Sequence, residues 1–291
     1  MLFLAGSVLF STSLTIGFKI CQGLRIDTFQ AIIANYFVCI VTGFLFGSSH
    51  PFTANAGGSP WFPIAILLGC CFITFFNLTA FTVKRLGVAV AGVATKISLV
   101  IPFIFSLYYY GEHAGIQKWT GVALALFSVV LTCYVPRSNT LQKRSLLLWI
   151  LPFLLFLGTG FQDTMIKFAE HGYLMPAELD AFLITCFVVA FSIGFILMIY
   201  LMARRRLNFQ AKAMIAGICI GIPNYFSIWC LVKVLNLFPT ESSLIIPVNN
   251  IAIVLLNALA GYFLFKEKLS PTNVAGIIVA VLAIYLITVG G

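Results

Sequence analysis

The sequence predicts an all-α membrane protein with ten transmembrane helices arranged as two inverted five-helix repeats. Three observations carry that expectation. The 291-residue chain is 61% hydrophobic and only 9% charged, with a mean hydropathy of +1.08, and a soluble fold of this size needs far more polar surface. Its apolar runs recur at the length of a bilayer crossing, about 20 residues. Segments of the first half reappear, in order, in the second.

The runs place spans at 2–20, 27–46, 61–82, 88–110, 117–135, 146–168, 179–202, 212–235, 241–264 and 272–290. They are too long and too uniformly apolar for barrel strands, so helices are expected throughout. The first run, MLFLAGSVLFSTSLTIGFKI, lacks a basic leader and a small-residue cleavage site. It reads as a span rather than a signal peptide. Most connections are short. The longest polar ones are GSSHPFTANAGGSP and PRSNTLQKRS, and the second lies near the middle of the chain. It divides the sequence into a first five-helix repeat (1–135), a linker (136–145) and a second repeat (146–291).

The repeat is legible in two places. Lys19 in TIGFKICQGLRIDTFQ aligns with Lys167 in TMIKFAEHGYLMPAELD at an offset of 148 residues. Glu112 and Gly121 in YYYGEHAGIQKWTGVAL align with Glu267 and Gly276 in YFLFKEKLSPTNVAGII at an offset of 155. An odd number of spans per half forces the second half into the membrane upside down. Inverted repeats of this kind place a solute site near the midplane between the halves.

LVIPFIFSLYYYGEHAGIQKWTGVALALFSVVL and its second copy, LLNALAGYFLFKEKLSPTNVAGIIVAVLAIYLI, resemble the ten-span EamA-type members of the drug/metabolite transporter superfamily. The second copy departs from the pattern: Lys266 stands where Gly111 precedes Glu112, and Pro247 lies further upstream than Pro102. The resemblance implies two five-helix bundles around a central cavity and solute movement by alternating access. It leaves the solute open, from amino acids to nucleotide sugars and sugar phosphates.

Lys and Arg counts set the expected orientation. With loops numbered along the chain, odd loops hold thirteen of these residues, including Arg204–Arg206, and even loops hold only Lys118, Lys167 and Lys233. The rule puts odd loops in the cytoplasm and the termini outside, whereas the family resemblance implies the reverse. The net charge of +9 is spread over these loops without organised stacking aromatics, so no nucleic-acid partner is expected. The eight cysteines show no metal-type spacing and read as small buried hydrophobes. No cofactor is expected, and the chain has no phosphate loop, which argues against an ATP-driven pump.

The candidate site residues are polar groups at membrane depth. Lys96 in AGVATKISLVIPF sits about 3 Å from the centre of the fourth span. A lysine there costs about 2.5–3.5 kcal/mol on insertion scales, so it marks a functional candidate. It fits an acidic group of a solute, and Gly92 one turn earlier permits close backbone approach. The alternative is a structural ammonium capped by carbonyls.

Asp163 in GTGFQDTMIKF lies about 9 Å off the midplane towards the even loops. It reads either as a private partner of Lys167 at i+4 or as a coupling group. Direct pairing of Asp163 with Lys96 is not expected from their depths. The ninth span carries Asn249, Asn250 and Asn257; Asn250 and Asn257 share a face with Pro247, and Lys96 aligns within a residue of Asn250. Cavity lining is expected for these amides, against plain interhelical bonding. Gln162, Asn224, Tyr225 and Trp229 are further candidates, the last two at i and i+4 as an aromatic wall. GICIG at 217–221 reads as helix packing.

These features favour a secondary transporter of a small polar metabolite such as an amino acid or organic anion. A nucleotide-sugar or sugar-phosphate exchanger is the alternative. An embedded enzyme is less favoured, because His50, His113 and His171 fall at loops and the spans hold no nucleophile–base constellation. An assembly protein has less reason to keep Lys96 and Asp163 at depth. The expected setting is a multi-pass protein of the bacterial inner membrane, with lipid and a small solute as partners and monomer or homodimer both open.

Overall fold

A computed structural model describes residues 2–47, 56–109, 115–133, 147–237, 242–267 and 269–289. Among these residues the chain is helical and holds no strand. In chain order the helices are α1 (Leu2–Gly23), α2 (Thr28–Phe46), α3 (Phe62–Leu86), α4 (Val88–Ile97), α5 (Val100–Tyr109) and α6 (Ile116–Cys133). They continue as α7 (Leu147–Gly172), α8 (Leu179–Ala203), α9 (Ala211–Leu237), α10 (Ser242–Phe263) and α11 (Pro271–Val289). Six apolar stretches are long enough to cross a membrane: α1, α2, α3, α8, Val88–Phe105 and Ala211–Leu231. The chain is a membrane-embedded helical protein. Glu112 and the 136–145 linker lie outside the described residues.

Polar side chains tie one end of the bundle together. Asp27 caps α2 by accepting from Gln30 N–H at 2.9 Å. Gln30 Nε2 donates to the Asn208 carbonyl at 2.8 Å, and Gln210 N–H donates back to Gln30 Oε1 at 3.0 Å. Gln22 Nε2 reaches the Lys84 carbonyl at 3.3 Å. The connections after α1, α3 and α8, and the one after α10 through Glu267 and Lys19 at 3.1 Å, therefore share one face, here named the odd-loop face.

Small residues let the helices approach closely, as membrane helix packing requires. A methyl group on Gly221 would lie 2.7 Å from Val38 Cβ, and one on Gly217 would strike Ala34 and the Ala31 carbonyl, so the GICIG stretch of α9 is a packing face against α2. Two contacts join α2 and α8 reciprocally. A methyl on Gly43 would lie 2.8 Å from Ile184 Cγ1, and one on Gly194 would lie 2.9 Å from Ile33 Cγ1.

The fourth apolar run keeps the length of a span over Val88–Phe105, but not as one unbroken helix. It breaks at Ser98 and Leu99 into α4 and α5. Pro102 has no N–H to offer the Ser98 carbonyl, which accepts from Ile101 N–H instead, at 2.9 Å, in a tighter turn. Ser98 is fully buried and its hydroxyl donates to the Thr95 carbonyl at 2.6 Å, binding a backbone acceptor at the break.

Candidate functional site

The site is built around the end of α4. This short helix packs against α1, α3, α6, α7, α10 and α11, and every residue from Val88 to Ala94 is buried. Accessible surface returns at Thr95 and Lys96, both half-buried. Neighbouring helices enclose α4, so that surface opens into the bundle rather than to lipid. Lys96 lies in the last helical turn before the break. The negative end of the half-helix dipole favours an ammonium there, which offsets part of the cost of holding it at depth.

Asp163 faces the same opening. The exposed stripe of α7 is Ile150, Phe153, Leu154, Leu157 and Phe161. At about 100° per residue, Asp163 points roughly 140° away from the middle of that stripe. It shares a face with Phe156, two turns earlier, which is buried in one apolar cluster with Ala89, Val93 and Ile97 of α4. Yet Asp163 itself is exposed. The inward face of α7 is therefore sealed at Phe156 and open at Asp163. Packing sets the level: Gly160 of α7 lies directly on Ile101 of α5, just past the break.

Lys96 and Asp163 lie within electrostatic reach of each other. The sequence expectation assigned Asp163 to Lys167 or to coupling and kept it apart from Lys96. In the structure the charge acting on Asp163 is that of Lys96, with no direct ion pair between them, so the expectation that the two do not pair directly stands. Lys167, one turn on from Asp163, is half-buried.

The amides of α10 divide. Asn257 is 1% exposed and packs onto the backbone of Gly92, so the close approach expected at that glycine is present. Its Oδ1 accepts from Thr15 Oγ1 of α1 at 2.5 Å. Asn257 thus joins α1, α4 and α10 as an interhelical bond rather than a cavity wall. Asn249 and Asn250 are buried at 2% and 9% exposure, and Asn249 Oδ1 has no partner among the described residues.

The α9 candidates lie elsewhere. Asn224 Nδ2 donates to Asn35 Oδ1 of α2 at 3.1 Å and also approaches Cys39 Sγ at 3.5 Å. Tyr225 and Trp229 line a small cavity with Leu179, Asp180, Leu183 and Phe187. The Trp229 face carries Lys233 Nζ at 5.4 Å. The Tyr225 and Trp229 rings both line this one cavity, each packing edge-on against Phe226, on the α8–α9 side away from the α4 break. Gln162 is half-buried beside Asp163 on α7.

Sequence reasoning missed the contact that seals the odd-loop end of α4. Glu267 accepts from Val88 N–H through both carboxylate oxygens, at 3.1 and 3.2 Å, and pairs with Lys19 Nζ at 3.1 Å. The first N–H of a helix is a natural seat for a carboxylate. Gly87 makes room, with φ at +97°, and a side chain there would strike the Glu267 carboxylate. Glu267 and Lys19 each anchored a repeat alignment, but nothing in the sequence paired them.

No family model matches the chain. It is 25% identical over 285 residues to an uncharacterized protein of Haemophilus influenzae, covering 96% of this chain and 94% of that one. A solved crystal structure superposes with a TM-score of 0.63 at 12% identity, over 99% of this chain and 96% of that chain. At that identity the likeness concerns the fold alone.

Proposed function

We propose that the protein is a secondary transporter for a small polar metabolite with an acidic group, an amino acid or organic anion. In this reading it is a ten-span, EamA-type member of the drug/metabolite transporter superfamily, multi-pass in a bacterial inner membrane. The observation that carries the reading is the interior opening at Lys96 and Asp163. It begins at a broken helix, is blocked towards the odd-loop face by the buried Val88–Ala94 part of α4, and holds opposite charges at Lys96 and Asp163. Half-helix ends inside a bundle are what alternating-access sites are built from.

The reciprocal packing supports two inverted repeats. Gly43 on Ile184 and Gly194 on Ile33 exchange under one offset, 151 residues. The helix pairs exchange likewise: α2–α9 with α3–α8, and α1–α9 with α3–α7.

The test is counterflow in proteoliposomes loaded with amino acids, organic anions and nucleotide sugars in turn. One of the first two classes should exchange. Lys96→Met should weaken binding by about 2–5 kcal/mol if the pair with the solute is desolvated. Lys96→Arg should also bind poorly, because a forked guanidinium does not replace a compact ammonium. Exchange of none of these solutes, or exchange indifferent to Lys96→Met, would refute the reading.

A further inference from the structure

We propose that Glu267, with Lys19, is the latch that holds the odd-loop side closed, and that α4 is the lever it releases. The inference rests on the transporter reading above. One carboxylate joins three elements: the end of α1 through Lys19, the start of α4 through Val88 N–H, and the connection after α10 that carries Glu267. The Glu267 N–H donates to the Gly261 carbonyl at 2.9 Å, which fixes the carboxylate against the end of α10.

Neither partner is deeply buried. The Lys19 and Glu267 side chains are 22% and 14% exposed, so water from the odd-loop face reaches the contact. Water at the contact lowers the cost of separating the pair below that of a fully buried one, as a gate requires. A permanent structural cap has no need of it.

The two ends of α4 differ in kind. One end is held by Glu267, and the other carries Lys96 and ends at the Ser98–Leu99 break. The helix is ten residues long, about 15 Å at 1.5 Å per residue, and rigid over that length. Movement at Lys96 therefore reaches Val88, and release at Val88 reaches Lys96. The break supplies the hinge, since α5 is held separately by Gly160 of α7. Releasing Glu267 lets the Val88 end swing away from α1 and α10 and opens the sealed half of the bundle.

The test is hydrogen exchange by mass spectrometry on the full-length protein in nanodiscs, for the parent, Lys19→Gln and Glu267→Gln. Lys19→Gln removes the ion pair and leaves the Val88 cap intact, so it reports on the latch even if Glu267→Gln fails to fold. Exchange should rise several-fold across Val88–Ala94 and fall across Gln162–Ile166 in the same sample, as one side opens and the other closes. A lost cap alone raises only the first. A rise confined to α4, or no change, overturns the latch. Solute counterflow by the parent in liposomes decides transport separately, so the latch can fail while the transporter reading stands.

Discussion

Replacing Gly92 by alanine tests the packing that positions Lys96. Propensity alone predicts a gain, since alanine is better than glycine inside a helix by about 0.5–1 kcal/mol. The structure predicts a loss. The added methyl would lie 2.5, 2.9 and 3.0 Å from Nδ2, Cβ and Cγ of Asn257. Asn257 has nowhere to retreat, being 1% exposed and held by Thr15. Overpacking costs about 1–3 kcal/mol, and pushing Asn257 off Thr15 forfeits an interhelical bond of about 0.6–1.7 kcal/mol. After the propensity gain is offset, a net loss of about 1–4 kcal/mol remains. Asn257→Ala removes two of the three colliding atoms, Nδ2 and Cγ, and leaves only the Cβ contact at 2.9 Å, while Thr15 keeps the Thr12 carbonyl as acceptor at 2.8 Å. The double variant should therefore be more stable than the single losses imply, by a coupling of about 0.5–3 kcal/mol. The assay is reversible unfolding in mixed micelles, followed by tryptophan fluorescence, for the parent, both singles and the double. A stabilising Gly92→Ala, or effects that add within about 0.5 kcal/mol, would refute the packing argument.

Lys96→Met leaves Asp163 without its neighbouring cation, so it should lower the melting temperature, and adding Asp163→Asn should restore it; equal melting of single and double variants would separate the two residues. Charge counting puts the odd-loop face in the cytoplasm, so a cysteine replacing Ser138 should react with an impermeant maleimide only in lysed cells. Labelling in intact cells would invert the orientation.

Much of the helix content was legible because periodic apolar runs have few alternatives in a bilayer. The fourth run shows the limit. Pro102 and Ser98 sit four residues apart, the donor and acceptor positions of one helical bond, and that spacing announces a break to a reader who checks it. Hydropathy does not register it, because the run stays apolar throughout. Lys96 and Asp163 stood out as charges at depth, but their relation did not. Axial depth counted along separate spans says nothing of which faces meet, so it could not show that the Lys96 charge acts on Asp163. The Asn257 role depended on its facing Gly92 and Thr15, which lie 165 and 242 residues away in the chain.

By itself, then, the sequence determined an apolar, helical, membrane-embedded chain and the residues that are expensive to keep there. Those properties depend on composition and local periodicity, which each segment carries alone. Only the tertiary structure decided which expensive groups meet. It placed Lys96 at the end of a half-helix with Asp163 opposite, turned Asn257 and Asn224 into interhelical bonds, and set Glu267 on Val88 and Lys19. Such contacts join segments far apart in sequence through glycine-sized gaps between helices. Their energies arise from close approach and charge separation in space, to which no single segment holds the key.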